Sequence, residues 1–572
     1  MGARQLDLVF LWHMHQPDYR DRTNGAFVMP WTYLHALKDY TDMAAHLERH
    51  PRIRAVVNFV PVLLDQIDDY VAQFASGEFR DPLLRWLAAE DLDRLDAAER
   101  AQLLEGCFRC NHATMLAPFP RYKRLLELYE SLAREGETAL AYLSGAYLAD
   151  LVVWYHLAWC GETVRRQEPL LAELMAKGEG FNAADRRNLL ALIDRTLAGL
   201  APRYRALQER GQIELSATPY SHPLAPLLLD FRAARESLPE APLPLAAQYP
   251  GGRDRVRWHL DEAGRSHARR FGAPPAGMWP AEGAISSVFA PLAADAGCRW
   301  LASGENVLKN SLAAVQATAQ PGAARRPWQL AETPGLTLFF RDDRLSDLIG
   351  FEYAKWHGRD AAAHFVAQLE AIAAEAANET PLVVVALDGE NAWEYYPYNG
   401  HYFFEDLYGL LEKHPTIRTR TFAEVLADRA THPPAQLPHL TAGSWVFGTL
   451  STWIGEPAKN HAWDLLCAAK QSYDQVIASG RLSAAEAAQA EALLAVCESS
   501  DWFWWFGDIN PTDAVGSFDR LFRRNLANLY RALRLAPPPQ LDAPISAGRA
   551  GSAEVAAGGT MRRAGEYPLR PD

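Results

Sequence analysis

Short apolar runs alternate with longer amphipathic stretches along most of the chain. Seven runs have the length and the β-branched or aromatic content of strands: 6–12, 54–60, 212–218, 276–279, 299–303, 336–341 and 381–388. The last contains Leu382-Val-Val-Val-Ala-Leu387, a continuous apolar run suited to a parallel sheet buried on both faces. Helical patterns precede several of these strands. One stops at Gly211, a second (285–296) at Gly297, and an alanine-rich third (359–377) closes into Asn378 and Pro381. Glycine there suits the left-handed backbone that ends many helices. The alternation predicts an α/β barrel or a doubly wound sheet.

Two departures from simple alternation divide the chain. Residues 61–211 read as helical throughout, too long for a βα loop, and predict an inserted lid or subdomain. Beyond about 430 the pattern becomes amphipathic helix, at 459–476, 483–498 and 517–533. The expected organisation is therefore a barrel domain over 1–430, a helical domain over 431–535, and a tail over 536–572. The tail, rich in Pro, Ala, Gly and Arg, is expected to be disordered.

Composition narrows the function. The 572 residues are 49% hydrophobic and 22% charged, as expected of a globular protein. A net charge of −13 without a basic run argues against a nucleic-acid partner. No apolar stretch reaches the ~18–20 residues of a membrane span. The start, Met1-Gly-Ala-Arg-Gln-Leu-Asp7, does not read as a signal peptide, so a cytoplasmic location is expected. The 17 Trp include possible sugar platforms, although indoles are also ordinary packing residues. Six scattered cysteines do not form a disulfide framework. Cys107-x-x-Cys110 beside His112 lacks a second ligand pair at zinc spacing, so these are expected to be plain thiols.

The unusual residues fall where predicted strands end, which is where α/β barrels gather catalytic groups. Strand 6–12 runs into His13-Met-His15-Gln-Pro17, and strand 212–218 into Pro219-Tyr-Ser-His222. Strand 276–279 meets Trp279-Pro-Ala-Glu282-Gly283, and strand 381–388 ends in Asp388-Gly-Glu390-Asn-Ala-Trp393-Glu394. Glycosidic cleavage needs one carboxyl to protonate the leaving oxygen and a second to attack the anomeric carbon or activate water. Glu282 and Asp388, on different strand ends, can face each other across a cleft. Either alone would read as an acid in the first turn of a helix; together, flanked by Trp, His and Gly, they point to chemistry. Phe340-Arg341-Asp342-Asp343-Arg344-Leu-Ser-Asp347 also ends a strand. There Arg341 or Asp347 could orient the nucleophile or hold a sugar, or the cluster could be a surface ion network.

In order and spacing, His13-x-His15-Gln-Pro17, Thr218-Pro-Tyr-Ser-His222-Pro, Trp279-Pro-x-Glu282-Gly and Leu387-Asp388-Gly-Glu-Asn-x-Trp-Glu394 resemble conserved regions of glycoside hydrolase family 57. Glu498-Ser-Ser-Asp501-Trp-Phe-Trp-Trp505 resembles a fifth region, so the resemblance spans roughly 5 to 535. It implies an incomplete, TIM-like (β/α)7 barrel with a helical domain completing the cleft. It also implies a retaining mechanism on α-glucans, with no metal or other cofactor. Glu282 becomes the nucleophile and Asp388 the acid/base, while Glu390 and Glu394 receive no catalytic role. His13, His15 and His222 would hydrogen-bond sugar hydroxyls. Trp279, Trp393, Trp502 and Trp505 would be platforms, and Asp501 a hydroxyl partner. For Trp502 to Trp505, helical spacing keeps the indoles from all pointing one way.

Other readings remain at this level. His13, His15, His222 and Asp388 could ligate a divalent metal in a hydrolase, but the Trp-Pro-x-Glu and Asp-Gly-Glu-Asn motifs would then be idle. A non-catalytic glucan-binding protein would be expected to have lost one of the two acids, and both are present. Hydrolysis, 4-α-glucanotransfer and branching share one glycosyl-enzyme intermediate. The motif wording and length look closest to amylase and amylopullulanase-like members, which favours hydrolysis. Burial and a charged Glu282 are expected to raise the pKa of Asp388, keeping it protonated near neutral pH.

Overall fold

The computed structural model describes residues 5–376, 379–508, 510 and 512–548. Ten strands form one sheet: β1 (Leu6–Met14), β2 (Ala55–Phe59), β3 (Ile213–Ala217), β4 (Gly277–Met278), β5 (Trp300–Gly304), β6 (Trp328–Leu330), β7 (Thr337–Arg341), β8 (Leu382–Asp388), β9 (Ile417–Thr419) and β10 (Ala435–Leu437). The order is β10-β6-β7-β5-β4-β3-β2-β1-β8, with β9 also on β1. The seven strands expected from the apolar runs form the continuous parallel path β7-β5-β4-β3-β2-β1-β8. This path curls: the backbone N–H of Asp342, just past β7, donates to the Val384 carbonyl of β8 at 2.7 Å. The result is the incomplete (β/α)7 barrel that the resemblance implies.

Central strands are buried along their whole length, β1 being fully buried from Leu6 to Met14. Leu11, Val56 and Ala386 fill one side of the curl, while Phe10, Trp12 and Val385 pack outward into helices. The three short strands not anticipated, β6, β9 and β10, have three residues each, too few to show a period. β10 pairs with β6, so the sheet extends beyond the expected boundary at 430.

The helices largely follow expectation. Ala183–Glu209 stops at Gly211 (φ 71°), Gly358–Glu375 precedes β8, and Pro457–Ala478, Ala484–Cys497 and Thr512–Ala532 make up the C-terminal helical region. The helix expected over 285–296 is shorter, Phe289–Asp295. Its start is delayed because Ile285 forms a β-bridge with Gly443, drawing the chain after Glu282 toward the C-terminal region. Residues 61–211 form helices as expected, with their own core around Gly145–Trp159, which is buried on nearly all sides. Among the described residues no helix is long and apolar enough to cross a membrane.

The expected disordered tail needs correcting at its start. The stretch 536–548 packs on the last long helix, where the Ile545 N–H donates to Asp519 at 2.7 Å and Arg523 donates to the Leu541 carbonyl at 2.8 Å. Residues 549–572 lie outside the described residues.

Candidate active site

Strand register places the first layer of the site. In β1, His13 lies opposite Asn58 of β2 on one side and Asp388 of β8 on the other, and Asn58 lies opposite Ser216 of β3. Laterally paired residues of a parallel sheet project to the same face, so these side chains share the inside of the curl. Asn58 donates to Ser216 Oγ at 2.9 Å, and its Oδ1 accepts from His13 Nδ1 at 2.7 Å and Thr218 Oγ1 at 2.9 Å. Just beyond the strand, Gly389 lies against Met14, where a Cβ would come within 2.0 Å of the sulfur.

Glu282 arrives by a strained turn. Its φ is 57° and that of Gly283 is 56°, two successive left-handed residues. A non-glycine residue held there costs energy, and such strain clusters at functional sites. The turn is fastened by the Trp445 N–H, which donates to the Glu282 carbonyl at 3.1 Å. His222 is likewise left-handed, at φ 65°, and its carbonyl accepts from the Ser500 N–H at 2.9 Å. The segment 499–501 thereby closes over the end of β3.

These elements enclose a cleft of about 360 Å³ lined by His13, His15, His222, Trp279, Glu282, Asp388, Glu390, Asn391, Trp445 and Trp504. Glu282 is hydrogen-bonded to Ser500 Oγ at 3.0 Å and faces Trp445 Nε1 at 3.4 Å. Asp388 accepts from Asn391 Nδ2 at 2.6 Å. Three imidazoles stack behind the acids, with His15 and His222 centroids 3.8 Å apart and His13 and His222 5.2 Å apart.

Burial sets the charges. It depresses the His13 pKa to about 3 and that of His222 well below the usual imidazole range, so both rings are neutral. His13 Nδ1 is 2.7 Å from Asn58 Oδ1, and its Nε2 lies 3.2 Å from His222 Nε2. Ser500 Oγ sits between His222 Nδ1, at 2.8 Å, and Glu282, to which its hydroxyl donates. Burial, with the negative charges of Asp501 and Asp388 nearby, pushes Glu282 up to about 8. Burial pushes Asp388 up to about 6, against the hydrogen bond from Asn391. The rise at Asp388 follows expectation; the order of the pair does not. In the empty cleft the proton is held more tightly by Glu282 than by Asp388, because Glu282 has two acidic neighbours whereas His15 and Arg341 oppose the rise at Asp388. Glu390, deeper still, is pushed well above the carboxylate range by burial and by Asp388, and stays neutral.

The sequence profile of glycosyl hydrolase family 57 matches residues 9–441. The chain belongs to that family. Among solved structures, it is similar to the GH57-type branching enzyme of Pyrococcus horikoshii (16% identity, 92% of this chain and 89% of that one, TM-score 0.56). It is also similar to a family 57 branching enzyme from Thermococcus kodakaraensis (15% identity, 92% and 90% covered, TM-score 0.54). A third similar structure is the α-amylase AmyC of Thermotoga maritima (13% identity, 93% and 94% covered, TM-score 0.53). No curated protein matches the chain.

Within this family 57 cleft the anticipated residues divide. Glu282, Asp388, His13, His15, His222 and Trp279 meet at its wall. Asp501 sits just behind, accepting from His15 Nε2 at 2.9 Å. Of the three imidazoles, His13 and His222 have both nitrogens engaged, and only His15 Nδ1 lacks a protein partner and is free for a ligand. His15, His222 and Asp501 lie close enough together to hold a metal ion, but their facing atoms already bond to one another or to Ser500. Arg341 lies one step away, its guanidinium 5.0 Å from the Trp445 ring centre and paired with Asp343 and Asp347 at 2.7 Å each.

Three of the expected platforms are elsewhere. Trp393 is buried against Trp12 and Phe404, its N–H on the Gly389 carbonyl. Trp502 packs on Phe522, and Trp505 stacks on Phe518 at 4.4 Å. The indole of that helix that reaches the cleft is Trp504. Trp445, Asn391 and Ser500 were not anticipated. Each had a signal: an isolated Trp in the Gly443-Ser-Trp445 loop, an amide within the Asp388 motif, and a hydroxyl directly before Asp501.

Cys107 and Cys110 are buried thiols. Burial raises both, Cys110 to about 12, and neither belongs to a group placed to hold a metal among the described residues.

Proposed function

We propose that the protein is a retaining enzyme that cleaves α-glucans such as maltodextrin, starch or glycogen, with Glu282 as nucleophile and Asp388 as acid/base. The observation that carries the reading is that two buried carboxyls from separate strand ends face one cleft with pKa values displaced upward to about 8 and about 6. Between those values the pair holds a single proton, the number that double displacement needs. With that proton on Asp388, the Glu282 carboxylate attacks the anomeric carbon as the glycosidic oxygen takes the proton from Asp388. A glycosyl ester on Glu282 results. Asp388, now ionised, removes a proton from water as its oxygen attacks the same carbon, and Glu282 is released. The strained turn and its bond to Trp445 fix the nucleophile, which supports attack from a set position. The α-glucan substrate is supported by the names of the similar structures, two branching enzymes and an α-amylase. Six buried, free thiols support a reducing, cytoplasmic setting. The organisation that fits this chemistry is a barrel region supplying both acids and a helical region, from about 431 to 535, supplying Ser500 and Trp504.

A 5-fluoro glucosyl fluoride that stalls at the covalent stage tests the assignment. Mass spectrometry should find the label on Glu282. A label on another side chain, or inverted product in an NMR time course, overturns it. Digestion of maltoheptaose, amylose and pullulan separates hydrolysis from transfer. Hydrolysis predicts shorter oligosaccharides alone; transfer or branching, the second reading, predicts longer or newly branched chains. A larger space that shares Asp388, Asn391, Trp445 and Trp504 with the cleft leaves room for a sugar hydroxyl to approach Asp388, which favours keeping transfer as the second reading.

A further inference from the structure

Away from the cleft, two helices bring histidine and carboxylate together at matched spacing. Helix Thr41–Arg49 carries His46, with His50 four residues on at its end, and helix His401–Lys413 carries His401 and Glu405. Residues four apart share one face of a helix, so each helix offers a pair of ligands. The helices follow β1 and β8, which are neighbours in the sheet, and the two pairs meet. His46, His401 and Glu405 each place one ligand atom within 4.8 Å of the other two. We infer that these three side chains, with His50 beside them, bind a divalent transition-metal ion of the zinc type. The ion would fasten the helix after β1 to the helix after β8.

The spacing fits a tetrahedral ion. Ligand atoms held about 2.0–2.1 Å from zinc lie about 3.3–3.5 Å from one another. Glu405 Oε1 is 3.3 Å from His46 Nδ1 and 3.7 Å from His50 Nε2. His50 stands just outside the group of three, and a turn of its ring brings Nε2 to the same point. Its Nδ1 is 3.1 Å from Glu412 Oε2, while Nε2 is buried with no hydrogen-bond partner. A carboxylate on one ring nitrogen and a free second nitrogen is the arrangement that orients a metal-binding imidazole. Imidazole nitrogens suit zinc, whereas calcium and magnesium favour all-oxygen shells.

A cation already stands at this point. Arg49 Nη2 is 2.9 Å from Glu405 Oε1 and donates to His401 Nδ1 at 3.3 Å. Guanidinium has no acceptor, so the His401 nitrogen must present its lone pair. Arg49 is about one-third exposed, and its head can swing into water when an ion takes its place. Burial holds His46 below the usual imidazole range and His401 down at about 4, which leaves both rings in the neutral form that metals bind. None of these residues lines the cleft, so the ion would act as a staple and take no part in the bond cleavage.

The test is calorimetric titration of the chelator-treated full chain with zinc chloride alone, paired with thermal unfolding. One ion per chain should bind, and it should raise the unfolding midpoint. His401→Ala should weaken binding about 100-fold or more, since even an outer partner of a metal ligand is worth 10–100-fold. Glu405→Gln, on a partly exposed side chain, should weaken it in the same direction and covers the case in which His401→Ala fails to fold. Arg49→Gln should tighten binding about two- to fivefold, because no guanidinium has to leave an exposed ion pair. His15→Ala, in the cleft, should leave the affinity unchanged. No zinc uptake, equal affinity in the parent and Glu405→Gln, unchanged or weaker binding in Arg49→Gln, or loss of binding in His15→Ala overturns the site; the cluster is then an ion-pair network around Arg49.

Discussion

Glu498 and Glu282 are both buried carboxyls, 0% and 4% exposed, and they are built in opposite ways. Glu498 accepts from Tyr249 at 2.6 Å, from two nitrogens of Arg255 at 2.9 and 2.8 Å, and from His259 at 2.7 Å. Those partners overcome the cost of burial and hold it far below the usual carboxylate range. Glu282 has one hydroxyl, a long contact to an indole and two acidic neighbours, and rises to about 8. Burial is the same in both; the donors decide the charge. Glu498 anchors the helix Gly252–Phe271 to the segment that carries Ser500 and Asp501, and Glu282 is left under-satisfied where a substrate can complete it.

The contrast can be broken by exchanging each acid for its amide. Asp388→Asn and Glu282→Gln should each lower turnover of maltoheptaose by about 10²–10⁴-fold or more, measured by product release. Near-normal rates in either would remove it from the mechanism. Glu498→Gln should act on stability instead, by about 3–5 kcal/mol in denaturant unfolding, because the buried Arg255 guanidinium loses the carboxylate it pairs with.

The pH dependence of stability should separate the two acids by sign. The folded pKa of Glu282 lies above its unfolded value, so its contribution is full below about pH 4.5 and is lost as pH rises toward about 8. Glu282→Gln should therefore gain stability over the parent across that window, by at most ~1.4 kcal/mol per pH unit. Glu498 contributes above its unfolded value and loses that contribution on acidification, so Glu498→Gln should converge on the parent at low pH.

A finer probe is the rate profile, expected to be a bell with limbs near pH 6 and pH 8, set by the shared proton. The Ser500 hydroxyl lowers the pKa of Glu282, so Ser500→Ala should move the alkaline limb upward and cost about tenfold in rate. An unmoved limb would mean that Ser500 only supports the chain.

Legibility followed the same division. The strands were readable because burial on both faces writes a continuous apolar run, as in Leu382–Asp388, and the motifs at their ends stand out against it. Positions whose importance comes from a distant partner were not. Ser500 matters because His222 and Glu282 flank it, more than 200 residues earlier in each case. Trp445 belongs to a loop that the helical pattern beyond 430 concealed. Trp393, beside the Asp388 motif, reads as a sugar platform until its ring is found filling the space between Trp12 and Phe404. Proximity in sequence to an acid does not say which way an indole turns.

The profile match stops at residue 441, yet the hydroxyl beside Glu282 and the indole facing Asp388 come from residues 500 and 504. A protein trimmed to the matched segment would retain both acids and leave them open to bulk water, free to regain ordinary acidity. Any minimal version of this enzyme must therefore be drawn around its proton chemistry, which reaches some sixty residues further than its recognisable signature.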